Sequence, residues 1–346
     1  VNKRQRQSLR RLAQGVNLNL VGPEDLTIRR YRAGRGYFFR DAEGNLIRDL
    51  DTIARFKSLA VPPAYRNVRY AADPRAHLQA VGEDAAGRLQ YRYHPDWERV
   101  REMLKARRLA NLAKSLPAIR RRIGRVLAAR RLDRSFVVAT VIELVAVTAI
   151  RAGSEEYARD NGTRGATTLL KSHVRITEGR LVLNFKAKGG KQVMKEVEHP
   201  RLAAAIERLL AVPGRRLFQY RDEEGAVHYV RAGDVNAYLR EIAGRPISLK
   251  DFRTLVASIG ALETLAGAEP ATSQRARRSQ VLAAVRTVAE DLANTPAVAR
   301  KSYVHGAVLS AFESGALTRF AEDLAQRRSP ATRAEILARI IAKYAV

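Results

Sequence analysis

The feature that most constrains this chain is a change of texture at His94-Pro95. Before it, from Leu26 to about Tyr93, short aromatic and β-branched runs alternate with Gly- and Asn-bearing turns. Ile28-Arg29-Arg30-Tyr31 is followed by the turn Ala33-Gly34-Arg35-Gly36, by Tyr37-Phe38-Phe39-Arg40 and by Asp41-Ala42-Glu43-Gly44-Asn45. The pattern continues through the Val61-Pro62-Pro63 turn to Leu89-Gln90-Tyr91-Arg92-Tyr93. Such spacing predicts a small antiparallel sheet. After the change, Val100, Leu104, Leu112, Leu116, Ile119, Ile123 and Leu127 recur near helical repeats, and Pro117 is expected to start a new helix. The two textures predict an α+β chain of two domains, residues 1–98 and 99–346, a division that suits a prior of about 150 residues per domain.

The second domain reads as mainly helical with one exception. Arg180-Leu181-Val182-Leu183-Asn184-Phe185 alternates like a strand, Gly189-Gly190 turns, and Gln192-Val193-Met194-Lys195-Glu196-Val197 returns, a hairpin whose tip bears Lys186, Lys188 and Lys191. Helices are expected at Leu202–Ala211, Ala232–Ile242, Leu249–Leu265 and Thr272–Leu292, and a last one from Pro330 to Val346. Val137 to Ile150 is strongly apolar but contains Glu143 and falls short of the roughly 20 residues a bilayer span requires, so a buried helix is expected and no membrane association. Val1-Asn2-Lys3-Arg4-Gln5-Arg6 is basic without a following apolar core, which predicts no secretion and a cytoplasmic, nucleoid-associated protein.

Charge narrows the partner. The 63 Lys and Arg outnumber 35 Asp and Glu, giving +28 in a chain that is 46% hydrophobic. Enough apolar content to fold, joined to that much positive charge, points to a polyanion, and nucleic acid is the first expectation. Between Glu98 and Arg134 thirteen basic residues face three acidic ones, so these helices should carry a core face and a cationic face.

Absent residue types exclude several chemistries. With no cysteine there is no thiolate nucleophile, no Cys-based zinc site and no disulfide. Gly190-Lys191 lacks the rest of a phosphate-binding loop, Gly34-Arg35-Gly36 is not a GxGxxG, and the six histidines form no HExxH. Neither ATP nor catalytic zinc is expected. What remains is cations and tyrosines. In Asn294-Thr295-Pro296-Ala297-Val298-Ala299-Arg300-Lys301-Ser302-Tyr303, Thr295 and Pro296 read as a capped helix start that places Tyr303 about two turns on. On texture alone, a lone tyrosine on a short helix is more often a packing aromatic than a nucleophile.

That segment, together with Lys250-Asp251-Phe252-Arg253-Thr254, Phe185-Lys186-Ala187-Lys188 and Ile150-Arg151-Ala152-Gly153, resembles the type IB DNA topoisomerases, in particular their small poxvirus-like bacterial form. In the first domain, Val61-Pro62-Pro63-Ala64-Tyr65, His77-Leu78-Gln79-Ala80 and the stretch from Asp84 to Pro95 are similar to blocks of the same family, so the likeness runs from about Gly22 to Leu317. The resemblance implies a monomer that clamps double-stranded DNA and relaxes supercoils of either sign without cofactor or metal. Tyr303 would be the nucleophile, forming a 3′-phosphotyrosyl link that conserves the phosphodiester energy. Arg151 and Arg253 would stabilise the transition state, since a guanidinium stays charged and its fork donates two bonds to phosphate oxygens. Lys188 would be the general acid for the leaving 5′ oxygen, with Lys186 and Lys191 as rivals. Viral members carry a phosphate-contacting histidine nine residues before the nucleophile, where this chain has Asn294, whose amide donates one neutral bond. Lys250 and Tyr157 align with DNA-contact positions.

Two other readings compete. Tyrosine recombinases share the Arg, Lys, Arg and Tyr set, but they usually present His-x-x-Arg where this chain has Lys250-Asp251-Phe252-Arg253, and their first domain is helical. A non-enzymatic basic nucleic-acid-binding protein would explain the charge and leave the ordered blocks as coincidence.

Overall fold

The computed structural model describes residues 3–326 and 329–344. It divides into residues 1–104 and 105–346.

The first unit opens with α1 (Lys3–Gln14), where no helix was expected. A five-stranded antiparallel sheet follows, built from β1 (Ile28–Ala33), β2 (Gly36–Arg40), then, after α2 (Leu50–Ser58), β3 (Arg66–Tyr70), β4 (Leu78–Glu83) and β5 (Leu89–Tyr93), in the order β2-β1-β3-β4-β5. Helix α2 is an addition to the strand-and-turn reading. Its signal is local: the Asp49 carboxylate accepts the Thr52 N–H at 2.8 Å and caps the first turn. Phe56 from α2 packs against Tyr70 and Phe39 at centroid distances of 4.6 and 5.0 Å, closing the core over one face of the sheet. Arg30 donates to the carbonyls of Val61, Pro62 and Tyr65, fixing the proline turn to β1.

Helix α3 (Trp97–Ala128) begins in the first unit, where Trp97 and Val100 pack with Ala13 and Leu18, and continues into the second. Pro117 does not start a new helix; it lies inside α3. Proline removes one backbone donor from the ladder. Ala113, Leu116 and Ile119 around it are buried in one apolar cluster, and that packing holds the helix continuous through the loss. Arg107, Arg108, Lys114, Arg120, Arg121, Arg122 and Arg125 are exposed along it, so the expected cationic face exists.

At the centre of the second unit lies α4 (Arg134–Thr148), capped by Asp133 and buried nearly all round, as its composition demanded. After α5 (Glu155–Asp160), the hairpin β7 (Arg180–Lys186) and β8 (Gln192–Glu198) forms with a third strand, β6 (Val174–Thr177), an antiparallel sheet ordered β6-β7-β8. Then come α6 (Pro200–Leu210), a small hairpin β9 (Gln219–Arg221) and β10 (Val227–Tyr229), α7 (Ala232–Ala243), α8 (Leu249–Ala266), α9 (Gln274–Asp291), α10 (Pro296–Ser302), α11 (Gly306–Glu313), α12 (Ala321–Gln326) and α13 (Pro330–Tyr344). The last expected helix is α13; residues 345–346, like residues 1–2, lie outside the described ones. The chain is thus α+β, a small antiparallel sheet followed by a mainly helical region that carries a hairpin. Among the described residues no helix is long and apolar enough to cross a membrane.

Candidate active site

Tyr303 closes α10. Thr295 caps the start of that helix, Pro296 occupies its first turn, and Tyr303 stands just beyond Ser302 with its N–H on the Ala299 carbonyl at 3.0 Å. Four further bonds fix this turn. The Ser258 hydroxyl on α8 donates to the Tyr303 carbonyl at 3.1 Å and accepts the His305 N–H at 3.0 Å. From α3, the Lys105 ammonium donates to the carbonyls of Lys301 and Val304 at 3.3 and 3.2 Å, satisfying acceptors that the end of a helix leaves open. Tyr303 as a whole is 9% exposed.

Arg253, one turn into α8, lies almost wholly buried with its guanidinium carbon 4.8 Å from the centroid of the Tyr303 ring. It donates to the carbonyls of Ala149 and Leu292, and its Nε has no partner among the described residues. Burial pushes the Tyr303 phenol up, but the charges of Arg253, Arg151 and Lys250 outweigh it and hold the group below the ordinary tyrosine value. The site therefore favours the anionic form of this oxygen.

Arg151 leaves α4 through a sharp turn. Ala149 takes a left-handed conformation at the helix end, and Gly153, at φ +95, bends the chain again. The segment then runs against Gly165 so closely that a Cβ there would stand 2.6 Å from the Arg151 carbonyl oxygen and from Gly153. Only glycine admits this crossing, which holds Arg151 in place. Its Nη2 donates to Asn294 Oδ1. Because arginine has no acceptor, the amide must present its oxygen to Arg151, and so the Asn294 NH2 is turned away from it. That nitrogen is buried without a partner among the described residues, and Asn294 is 8% exposed. A buried donor left open is costly unless something occupies it.

The turn from Asp291 to Asn294 gathers these groups. Arg253 reaches the Leu292 carbonyl, Arg151 the Asn294 side chain, and Lys191 donates to the Asn294 carbonyl at 2.8 Å. A cavity of about 10 Å³ bounded by Arg151, Arg164, Arg253 and Asp291 has room for no more than a water.

Arg151, Arg253, Asn294 and Tyr303, four of the residues expected from the sequence, are thus neighbours. Lys188, at the hairpin tip, is exposed, and its ammonium lies 4.9 Å from the centroid of the Tyr157 ring rather than beside Tyr303. Lys191 is the tip lysine that touches the cluster. Lys186 is exposed on the other flank, with its carbonyl accepting the Arg164 N–H at 2.7 Å, and Lys250 is exposed on the first turn of α8. Sequence reading missed Ser258, Lys105 and Gly165. Ser258 lies five residues beyond Arg253 on the same helix, but its partners are distant in sequence, and no local pattern marks Gly165.

Comparison with known proteins places the chain in a family. The family model for the catalytic core of eukaryotic DNA topoisomerase I matches residues 95–328, and that for the N-terminal domain of bacterial DNA topoisomerase IB matches residues 36–84. A DNA topoisomerase 1B of Acanthamoeba polyphaga mimivirus is 32% identical over 285 residues, which cover 80% of this chain and 84% of the viral one. Among solved structures, the XerH site-specific recombinase bound to difH substrate aligns at 13% identity and a TM-score of 0.35, over 56% of this chain and 49% of that one, a likeness too remote to bear on function.

Proposed function

This chain belongs to the type IB DNA topoisomerases, and we propose that it cleaves one strand of duplex DNA through Tyr303, with Arg151, Arg253 and Asn294 on the phosphate and Lys188 as the proton donor. Membership of the family sets aside the recombinase and the non-enzymatic binder.

The observation that supports the assignment of residues is the Arg253 guanidinium against the Tyr303 ring, with Arg253 also bonded to the 291–294 turn on which Asn294 meets Arg151. In the reaction the Tyr303 oxygen bonds to phosphorus, the bond from phosphorus to the 5′ oxygen breaks, and that oxygen takes a proton. Negative charge grows on the nonbridging oxygens as the five-coordinate transition state forms. In this reading the Arg151 and Arg253 guanidinium groups and the Asn294 NH2 are the donors that receive it. The covalent link retains the energy of the bond broken, and the freed 5′ hydroxyl reverses the step; no nucleotide is consumed.

Lys188 reaches the leaving oxygen when DNA draws the tip away from Tyr157. Two glycines in the tip, Gly189 and Gly190, both at positive φ, supply the backbone freedom for that change. Lys186, Lys250, Tyr157 and the exposed arginines of α3 contribute backbone contacts, which raise affinity without reading sequence. In this reading the protein works as a monomer.

The test is relaxation of plasmids of either supercoil sign, in chelator and without ATP. The parent protein should relax both. Tyr303→Phe should relax neither while binding duplex within a few fold of the parent; relaxation by Tyr303→Phe would overturn the assignment.

A further inference from the structure

The hairpin is fastened to the turn after α9 at two points. Lys195, on β8, donates to Asp291 Oδ1 at 2.7 Å, and Lys191, just before the strand, donates to the Asn294 carbonyl at 2.8 Å. Residues 193 and 195 share one face of β8, where Val193 is buried. The Lys195 side chain is 17% exposed and that of Asp291 is 56% exposed.

The position of Asp291 makes sense only with a cation supplied from elsewhere. It is the last residue of α9, follows Glu290, and the last turn of that helix holds no basic residue. The dipole of a helix disfavours carboxylates at its C-terminal end. Here the end of α9 receives its positive charge from outside: Lys195 and Lys191 from the hairpin, Arg253 from α8. The same turn presents Asn294 to Arg151. A carboxylate at this point therefore ties the element that bears Lys188 to the element that orients the phosphate donors. Lys188 itself is three residues from the Lys191 anchor, across Gly189 and Gly190.

We propose that Asp291 is a positioning residue for strand cleavage: paired with Lys195, it seats the hairpin against the 291–294 turn and so sets where the tip presents the proton donor. The proposal rests on the assignment of Lys188 as general acid. Asp291 touches none of the reacting atoms. The proton moves from the Lys188 ammonium to the departing 5′ oxygen, leaving a neutral amine that recovers it from the 5′ hydroxyl on religation.

A leaving group that needs no proton separates this role from a merely structural one. Replacing the bridging 5′ oxygen by sulfur makes the leaving group a thiol of ordinary pKa about 8.5, which departs as thiolate without an acid. Single-turnover cleavage of the two substrates is measured with the full chain. Lys188→Ala should be slow on the oxygen substrate and restored on the sulfur one. Asp291→Asn should lose about fivefold on oxygen and nothing on sulfur, the size expected of a half-exposed ion pair acting on one step, with duplex binding no weaker than the parent's. The reversed pair, Asp291→Lys with Lys195→Asp, should recover most of the oxygen rate. Equal loss on both substrates, or no loss on either, would overturn the role of Asp291 while leaving that of Lys188 standing. Failure of sulfur to restore Lys188→Ala would remove the acid assignment, and the proposal with it.

Discussion

The guanidinium carbon of Arg253 lies 4.8 Å from the centroid of the Tyr303 ring, and both side chains are at least nine-tenths buried. Burial works against charge on each of them: it lowers the arginine and raises the phenol. Their opposite charges reverse the outcome for the tyrosine alone. Positive Arg253 favours phenolate strongly enough, with Arg151 and Lys250, to bring Tyr303 below 10.0 in the folded protein.

The sign of this effect is testable. Cleavage should rise with pH and level off above an apparent pKa lower than that of free tyrosine. Arg253→Gln removes the largest lowering influence and leaves burial, so the Tyr303 titration should move upward; Arg151→Gln should move it less. NMR of ring-labelled tyrosine, assigned with Tyr303→Phe, reads the shift directly. A titration that stayed put in Arg253→Gln would show that the guanidinium does not act on the phenol.

Gly165→Ala should be far more damaging than its size implies. Its methyl would stand 2.6 Å from the Arg151 carbonyl oxygen and from two atoms of Gly153, all of them backbone, so the loop that bears Arg151 must move. A loss of roughly 1–3 kcal/mol in stability is expected for such overpacking, measured by urea denaturation. Single-turnover cleavage should fall about 100-fold through misplaced donors. The neighbouring Gly162→Ala adds a methyl without a clash, since no atom lies within 4 Å of a Cβ there; its positive φ should cost some stability and leave the cleavage rate near that of the parent.

Substitutions at Asn294 distinguish a donor from a spacer. Asn294→His can accept from Arg151 on one ring nitrogen and donate from the other, so cleavage should persist. Asn294→Asp keeps the acceptor for Arg151 but replaces the free NH2 with an oxygen facing the phosphate, and single-turnover cleavage should fall about 100-fold or more. Near-total loss in Asn294→His, or full activity in Asn294→Asp, would assign the position some other task.

Much of the frame was legible because it is local. Helix α8 begins at Leu249 as its apolar spacing indicates, α9 lies within one or two residues of the expected span, and the hairpin turns at Gly189-Gly190. The capped start at Thr295-Pro296 places Tyr303 where the pattern put it. Helix α2 was hidden by its single buried residue, Phe56, which gives no period to read, although Asp49 carries a cap signal. The continuity of α3 through Pro117 is decided by burial against residues far along the chain. Likewise the Gly153 and Gly165 crossing, the Ser258 bonds and the Lys195–Asp291 pair join segments separated by up to about a hundred residues. Sequence texture records which residue types are present; it does not record which backbones meet.

The central claim is that the phenol of Tyr303 becomes covalently bound to DNA. A duplex that loses a short 5′-hydroxyl fragment after cleavage traps the adduct, and proteolysis with mass spectrometry identifies the modified residue. A nucleotide 3′-phosphate on Tyr303, absent from Tyr303→Phe, is the expected result; an adduct on any other residue, or one that survives in Tyr303→Phe, would contradict the account.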